Sequence, residues 1–183
     1  MRQRGRSRFT LGIVELSLIF SILGSLFAIA IPTFLRHVRG SKITEASQRL
    51  VELYRLTQAY YETPRWTGTR LQKHCIHPSI GPLPAVPSVE PVSNPFANLA
   101  WPQKKMWMDL GFRPTNIRYR YSIHATTASH CAGSFTSPIN LILRAEGDLD
   151  GDKVYSLFER SIWIRPDGSW HADPILYVRD RTE

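Results

Sequence analysis

Residues 16–35 read LSLIFSILGSLFAIAIPTFL, twenty consecutive positions without a formal charge. As a helix rising 1.5 Å per residue, this stretch covers about 30 Å, the thickness of a bilayer core. Four arginines, Arg2, Arg4, Arg6 and Arg8, precede it, and Glu15 is the only charge between Arg8 and Arg36. The dense basic cluster places the N-terminus on the cytoplasmic side, although Arg36 and Arg39 make the far flank basic too. A cleaved secretory signal is the rival reading, with small residues at Ala28 and Ala30. Twenty apolar residues exceed the usual length of such a signal, and Pro32-Thr33-Phe34 is a poor small-residue cleavage site. The reading adopted is a retained span.

The next segment is amphipathic. Ile43, Ala46, Leu50, Leu53 and Thr57 recur at helical spacing, while Lys42, Glu45, Arg49, Glu52 and Arg55 fall elsewhere on the cylinder. Pro32 inside a span kinks a helix more often than it ends it. A helix from Leu11 to about Tyr61 is on the order of 75 Å long. A domain of this size cannot cover such a length, so lipid or neighbouring subunits must cover its first half.

The whole chain has 183 residues and a mass of 21.0 kDa, with 43% hydrophobic and 21% charged residues, enough for one core plus an appendage. The formal charge is +8, but beyond residue 35 the balance is 19 Lys/Arg against 14 Asp/Glu. Much of the basicity therefore belongs to the leader, and charge alone does not demand a nucleic-acid partner. Two cysteines exclude both a disulfide-dense miniprotein and a metal module built on four thiolates.

Residues 64–114 hold nine of the thirteen prolines, including GPLPAVPSVEPVSNP, which disfavours regular helix and predicts extended and turn conformations. Trp66, Trp101 and Trp107 predict that this region packs on something. Strand alternation then follows in IRYRYSIH at 117–124, INLILRAE at 139–146 and YSLFERSIWIR at 155–165, with SWHADPILYVRD as a fourth strand ending near Val178. Asp167-Gly168 and GDLDGD read as turns. The expected fold is α+β: a long N-terminal transmembrane helix packed on a four-stranded antiparallel sheet. The expected segments are a basic leader at 1–10, a membrane half of the helix at 11–36 and its amphipathic half at 37–63. A Pro-rich loop region at 64–116 and the sheet at 117–183 follow.

The stretch FTLGIVELSLIFSILGSLFAIAIPTF resembles the N-terminus of type IV pilins and of the pseudopilins of type II secretion. Those proteins begin with a short basic leader, then Phe-Thr-Leu and a glutamate, then an apolar helix ending in Ala-Ile-Pro. Glu15 and Pro32 keep the family's interval of seventeen residues, and RGSKITEASQRL is similar to its helix continuation. One departure concerns the leader. The family's peptidase cuts after a glycine five residues before the glutamate, and that position here is Thr10. Gly12 lies two residues later, so the cleavage region is Thr10, Leu11 and Gly12. Taking Phe9 as the first mature residue instead places Ile13 where the glutamate belongs.

The resemblance implies a minor or specialised subunit of a type IV pilus-like or secretion pseudopilus filament. Its implied partners are other pilin-like subunits, a leader peptidase, an assembly ATPase, a membrane platform and the inner membrane, with the C-terminal domain in the periplasm or on an extracellular filament. Glu15 and Pro32 would serve subunit assembly, Glu15 by meeting the amino terminus of an adjacent subunit. Two other readings stand beside it: a membrane-anchored binding domain that never polymerises, and a DNA-uptake pilin.

Three groups of residues invite chemistry. Asp148, Asp150, Asp152 and Glu159 occupy positions 1, 3, 5 and 12 of a calcium loop, but position 6 is Lys153 where that loop needs Gly, and an acidic turn is the plainer reading. Calcium also occurs in this part of some pilins and pseudopilins, and AEGDLDGDKVYSLFE is similar to a segment of pilin-like fimbrial proteins; no other cofactor is expected. Cys75 and Cys131 would pair as a disulfide in an oxidising compartment; free thiols are one alternative, and with His74, His77 and His130 nearby in sequence a two-thiolate, two-imidazole zinc site is another. Arg118, Arg120, Tyr119 and Tyr121 suggest a basic-aromatic surface, but alternation puts Arg and Tyr on opposite faces. No nucleophile elbow, Walker loop or dinucleotide fingerprint occurs, so no enzymatic activity is expected.

Overall fold

The computed structural model describes residues 12–127, 130–131 and 134–180. The leader at 1–10, with Thr10, and Leu11 of the cleavage region lie outside the described residues. The chain divides into two compact units, Met1–Arg39 and Gly40–Glu183, and helix α1 (Ile13–Glu62) contributes to both.

In the first unit, Ile13–Phe34 is long and apolar enough to cross a membrane, and none of it is buried against protein. Three of the four hydroxyls within it, all but that of Ser21, are satisfied along the helix. Ser17 donates to the Val14 carbonyl, Ser25 to Ser21 and Thr33 to Ile29, at 2.8–2.9 Å. Lipid provides no partner for a free hydroxyl, so this internal bonding is what lets Ser and Thr sit in an apolar span. The helix continues through Pro32.

In the second unit, Ile43, Ala46, Leu50, Leu53, Thr57 and Tyr61 form the buried stripe of α1 and join the hydrophobic core. Thr57 has no partner problem there, because its hydroxyl donates to the Leu53 carbonyl at 2.8 Å. Thr63-Pro64 follows the last turn, and the residue before a proline is disfavoured in helix.

The core is completed by an antiparallel sheet of six strands where four were expected. The strands are β4 (Ile80–Leu83), β5 (Arg120–Ala125), β7 (Ile139–Gly147), β8 (Ser156–Ile164), β9 (Trp170–Ala172) and β10 (Tyr177–Arg179). The order is β10-β8-β7-β5-β4, and β9 also pairs with β8. Two differences from the expectation account for the count. The expected fourth strand breaks at Asp173-Pro174: Asp173 Oδ1 accepts from the Ile175 amide, and β9 and β10 pair with different halves of β8. The Pro-rich region also supplies β4, which pairs with β5 at the sheet edge, where Pro82 lacks an N–H without breaking an inner ladder.

That region contains a helix as well, α2 (Trp101–Leu110), contrary to the expectation of turns and extended chain. Pro102 sits in its first turn, where a missing N–H costs nothing, and Gly111 caps its end at φ 84°. Trp107 of α2 is fully buried and donates to the Gly81 carbonyl, but Trp66 and Trp101 are exposed, so only one of the three tryptophans is packed as expected. Two small pairs stand apart from the main sheet: the hairpin β1 (Arg65–Thr67) with β2 (Arg70–Gln72), and β3 (Cys75–Ile76) with β6 (His130–Cys131).

At the β7 end, a Cβ on Gly147 would collide with the Tyr119 ring, so only glycine fits where the strand enters the turn.

Candidate functional site

The first candidate is the start of α1. The Gly12 carbonyl accepts the first helical bond from the Leu16 amide at 3.0 Å, which makes Gly12 the N-cap. The Glu15 carboxylate reaches back to accept from the Gly12 amide at 3.0 Å. This is one half of a capping box, and it places a negative charge at the positive end of the helix dipole. Glu15 thus has a local role within a single chain, and its carboxylate is exposed at the head of an apolar helix. Pro32 lies seventeen residues on, in the same helix.

The second is the cysteine pair. Cys75 and Cys131 face one another across β3 and β6, Cα atoms 4.0 Å apart, and are joined as a disulfide. Bonded sulfurs are not thiolate ligands, so the two-cysteine zinc centre loses half its donors. Two of the neighbouring histidines, His74 and His77, belong to aromatic packing. His74 stacks on Tyr61 with ring centroids 4.8 Å apart, and His77 lies 4.8 Å from Tyr60. His77 is 5% exposed, and burial lowers its pKa below the ordinary imidazole value. Tyr61 donates to the Gly168 carbonyl at 2.7 Å, and burial, with Asp167 nearby, pushes its hydroxyl to about 12. Trp170 completes the group by donating to the Tyr54 hydroxyl at 3.1 Å.

The third is the acidic turn between β7 and β8. Asp148, Asp150 and Asp152 bring carboxylate oxygens within 4.8 Å of one another. Asp148 accepts from the Gly151 and Lys153 amides, and Asp152 from the Val154 amide, so the turn is shaped by its own carboxylates. Gly151 and Lys153 both have positive φ, so position 6 takes a glycine-like conformation but carries Lys153 where a calcium loop has glycine. Glu159 is not gathered with the aspartates: it lies on β8 and accepts from Arg144 of β7 at 2.6 Å.

The fourth group, residues 118–121, leads into the start of β5, and its tyrosines and arginines divide as alternation predicts. Tyr119 and Tyr121 are buried in the core, and burial pushes Tyr119 to about 12 and raises Tyr121 well above the ordinary tyrosine value. Arg118 is held by Glu45, and Arg120 by Glu146 at 2.8 Å. Arg120 also lies over the Tyr155 ring. The pairs Arg120–Glu146 and Arg144–Glu159 form a ladder across three strands, legible in the sequence as charges at alternate positions but not singled out there.

Two features carried less signal. The β1–β2 hairpin projects Trp66, 73% exposed, opposite Leu71, 54% exposed, with Arg70 and Lys73 beside them. A cavity of about 380 Å³ opens beside Thr126, Ser134, Thr136 and Ser137, and no titratable side chain lines it among the described residues.

Compared with protein-family models, with curated proteins and with solved structures, the chain has no match.

Proposed function

We propose that this chain is a structural, non-catalytic subunit of a filament of the type IV pilus or secretion pseudopilus kind, held in the inner membrane by α1 before assembly. The observation that carries the reading is the continuity of α1. One 50-residue helix supplies an apolar stretch that no protein surface covers and, further along, the central buried stripe of an α+β core. An apolar helix face of this kind must find lipid or the same face of other copies. A helix held in lipid as a monomer and in a bundle as a polymer satisfies both conditions. On this reading a peptidase removes the leader, and an assembly ATPase with a membrane platform draws the subunit from the bilayer.

Intact-mass analysis of the membrane-extracted protein tests the reading. Loss of about ten N-terminal residues supports it, while a full-length mass identifies a plain membrane anchor. The second reading, a membrane-anchored domain that does not polymerise, draws on the Gly12–Glu15 bond, because a carboxylate already used as a helix cap does not require a partner subunit.

A further inference from the structure

The second unit carries surfaces of opposite charge near opposite ends of its helix. The basic one is the β1–β2 hairpin. It follows directly on the C-terminal end of α1, and Arg65 anchors it by lying 3.7 Å over the Tyr60 ring. From Arg65 to Lys73 there are three cations and no carboxylate. Trp66 and Leu71 face one another across the hairpin and are both exposed. No ion pair engages Arg70 or Lys73 among the described residues. An exposed tryptophan beside unpaired cations, on a hairpin otherwise too small to be stable alone, is a surface that gains from being covered.

The acidic one is the turn Asp148–Asp152, followed by Val154, which is 48% exposed. Its position in the unit is fixed through Val89. The Val89 side chain lies 3.5 Å from where a Cβ on Gly151 would stand, and the Val89 carbonyl accepts from Arg118, whose guanidinium is held by Glu45 of α1. Glu45 and Tyr61 are sixteen residues apart on one helix, roughly 24 Å. The acidic turn therefore sits by the beginning of the helix in this unit, and the basic hairpin by its end.

We propose that the hairpin is a docking surface for the acidic turn of a second copy of this chain, displaced along the direction of α1. Arg70 and Lys73 would meet Asp150 and Asp152, while Trp66 and Leu71 would cover Val154. Two different patches at opposite ends make a heterologous contact, which propagates rather than closing into a dimer. The contact rests on the filament reading and supplies it with a polarity: the hairpin of each copy faces the turn of the next. Rim charges of this kind set register and partner choice more than raw affinity.

Cross-linking in membranes of cells making two full-length versions tests the contact. One version carries Thr69→Cys at the hairpin tip, the other Val154→Cys, and the native cysteines are already bonded to each other. The work is done in chelator, so that no divalent cation competes for the aspartates. The expected result is a disulfide-linked mixed dimer in preference to either homodimer. Adding Arg70→Glu and Lys73→Glu to the first version should lower its yield at least fivefold, and Asp150→Lys with Asp152→Lys in the second should restore it. No mixed dimer, or a yield indifferent to both charge reversals, overturns the proposal. If sheared filaments contain the chain while the mixed dimer is absent, the contact is wrong and the filament reading stands; if the hairpin reversals still lower filament yield in that case, its occupant is a different acidic protein. A mixed dimer in a chain that never enters filaments keeps the contact and removes the filament reading.

Discussion

The carboxylate of Glu45 on α1 accepts from both the backbone amide of Arg118, at 2.7 Å, and its guanidinium, at 3.3 Å, linking helix to sheet across 73 residues of sequence. Both side chains are largely removed from water. Glu45→Ala leaves the Arg118 amide without its acceptor and should destabilise the folded domain by about 2 kcal/mol, whereas Glu45→Gln keeps an acceptor and should cost about half of that. Urea midpoints of the detergent-solubilised protein check the order. Equal losses for the two variants would show that charge rather than amide satisfaction dominates.

The disulfide closes a loop whose ends are 56 residues apart in sequence. By loop-closure entropy it restrains the unfolded chain by roughly 4 kcal/mol. Cys75→Ser with Cys131→Ser should lower the unfolding midpoint accordingly, and reductant should lower that of the parent protein but leave the variant unchanged. A reductant effect on the variant would place the sensitivity elsewhere.

His77 makes stability depend on pH in a definite direction. It is buried against the Tyr60 ring, with Arg65, Asp109 and the backbone of Pro78 and Met106 around it, and burial above all holds its pKa in the fold below the ordinary imidazole value of 6.5. Below pH 6.5 the unfolded chain therefore takes up a proton that the folded chain does not. Stability is full above that pH and falls as the pH drops from about 6.5 towards the folded pKa. Melting temperatures between pH 7.5 and 5.5 should decline for the wild type and decline less for His77→Gln. His124 shifts the same way through burial first and Arg144 second, but it is exposed and contributes less.

The acidic turn sets up a calcium test with a built-in control. Asp148, Asp150 and Asp152 bring three carboxylates within 4.8 Å of one another, and if calcium binds there, tenfold saturation raises stability by about 1.4 kcal/mol. A rise in melting temperature with millimolar calcium over chelator is expected, and Asp152→Asn should remove it. Glu159→Gln should not, because Glu159 belongs to Arg144. A calcium response abolished by Glu159→Gln would contradict this division.

The sequence made the periodic parts legible. The stripe from Ile43 to Thr57 is the face that packs, and alternation at 139–146 and 155–165 yields the two long central strands. Less legible were elements whose local composition argues against them. Pro82 suits an edge strand and Pro102 a helix start, so a Pro-rich stretch hid β4 and α2. The break between β9 and β10 depends on Asp173 closing a turn onto Ile175, a side-chain bond that hydropathy does not register. In the candidate sites, nearness in sequence put Glu159 with the aspartates, whereas the register of β7 and β8 sets it opposite Arg144.

On the filament reading, Glu15 acts between subunits as well as capping its own helix. Glu15→Gln separates the two roles, because glutamine can still accept from the Gly12 amide but carries no charge for a partner terminus in low dielectric. The decisive measurement is recovery of the chain in the sheared surface fraction, beside its level in the membrane fraction. Wild-type chain is expected in the sheared fraction, with Glu15→Gln inserted in the membrane at normal levels but absent from the sheared fraction. Wild-type chain confined to membranes, or Glu15→Gln sheared off at the wild-type level, would contradict that expectation.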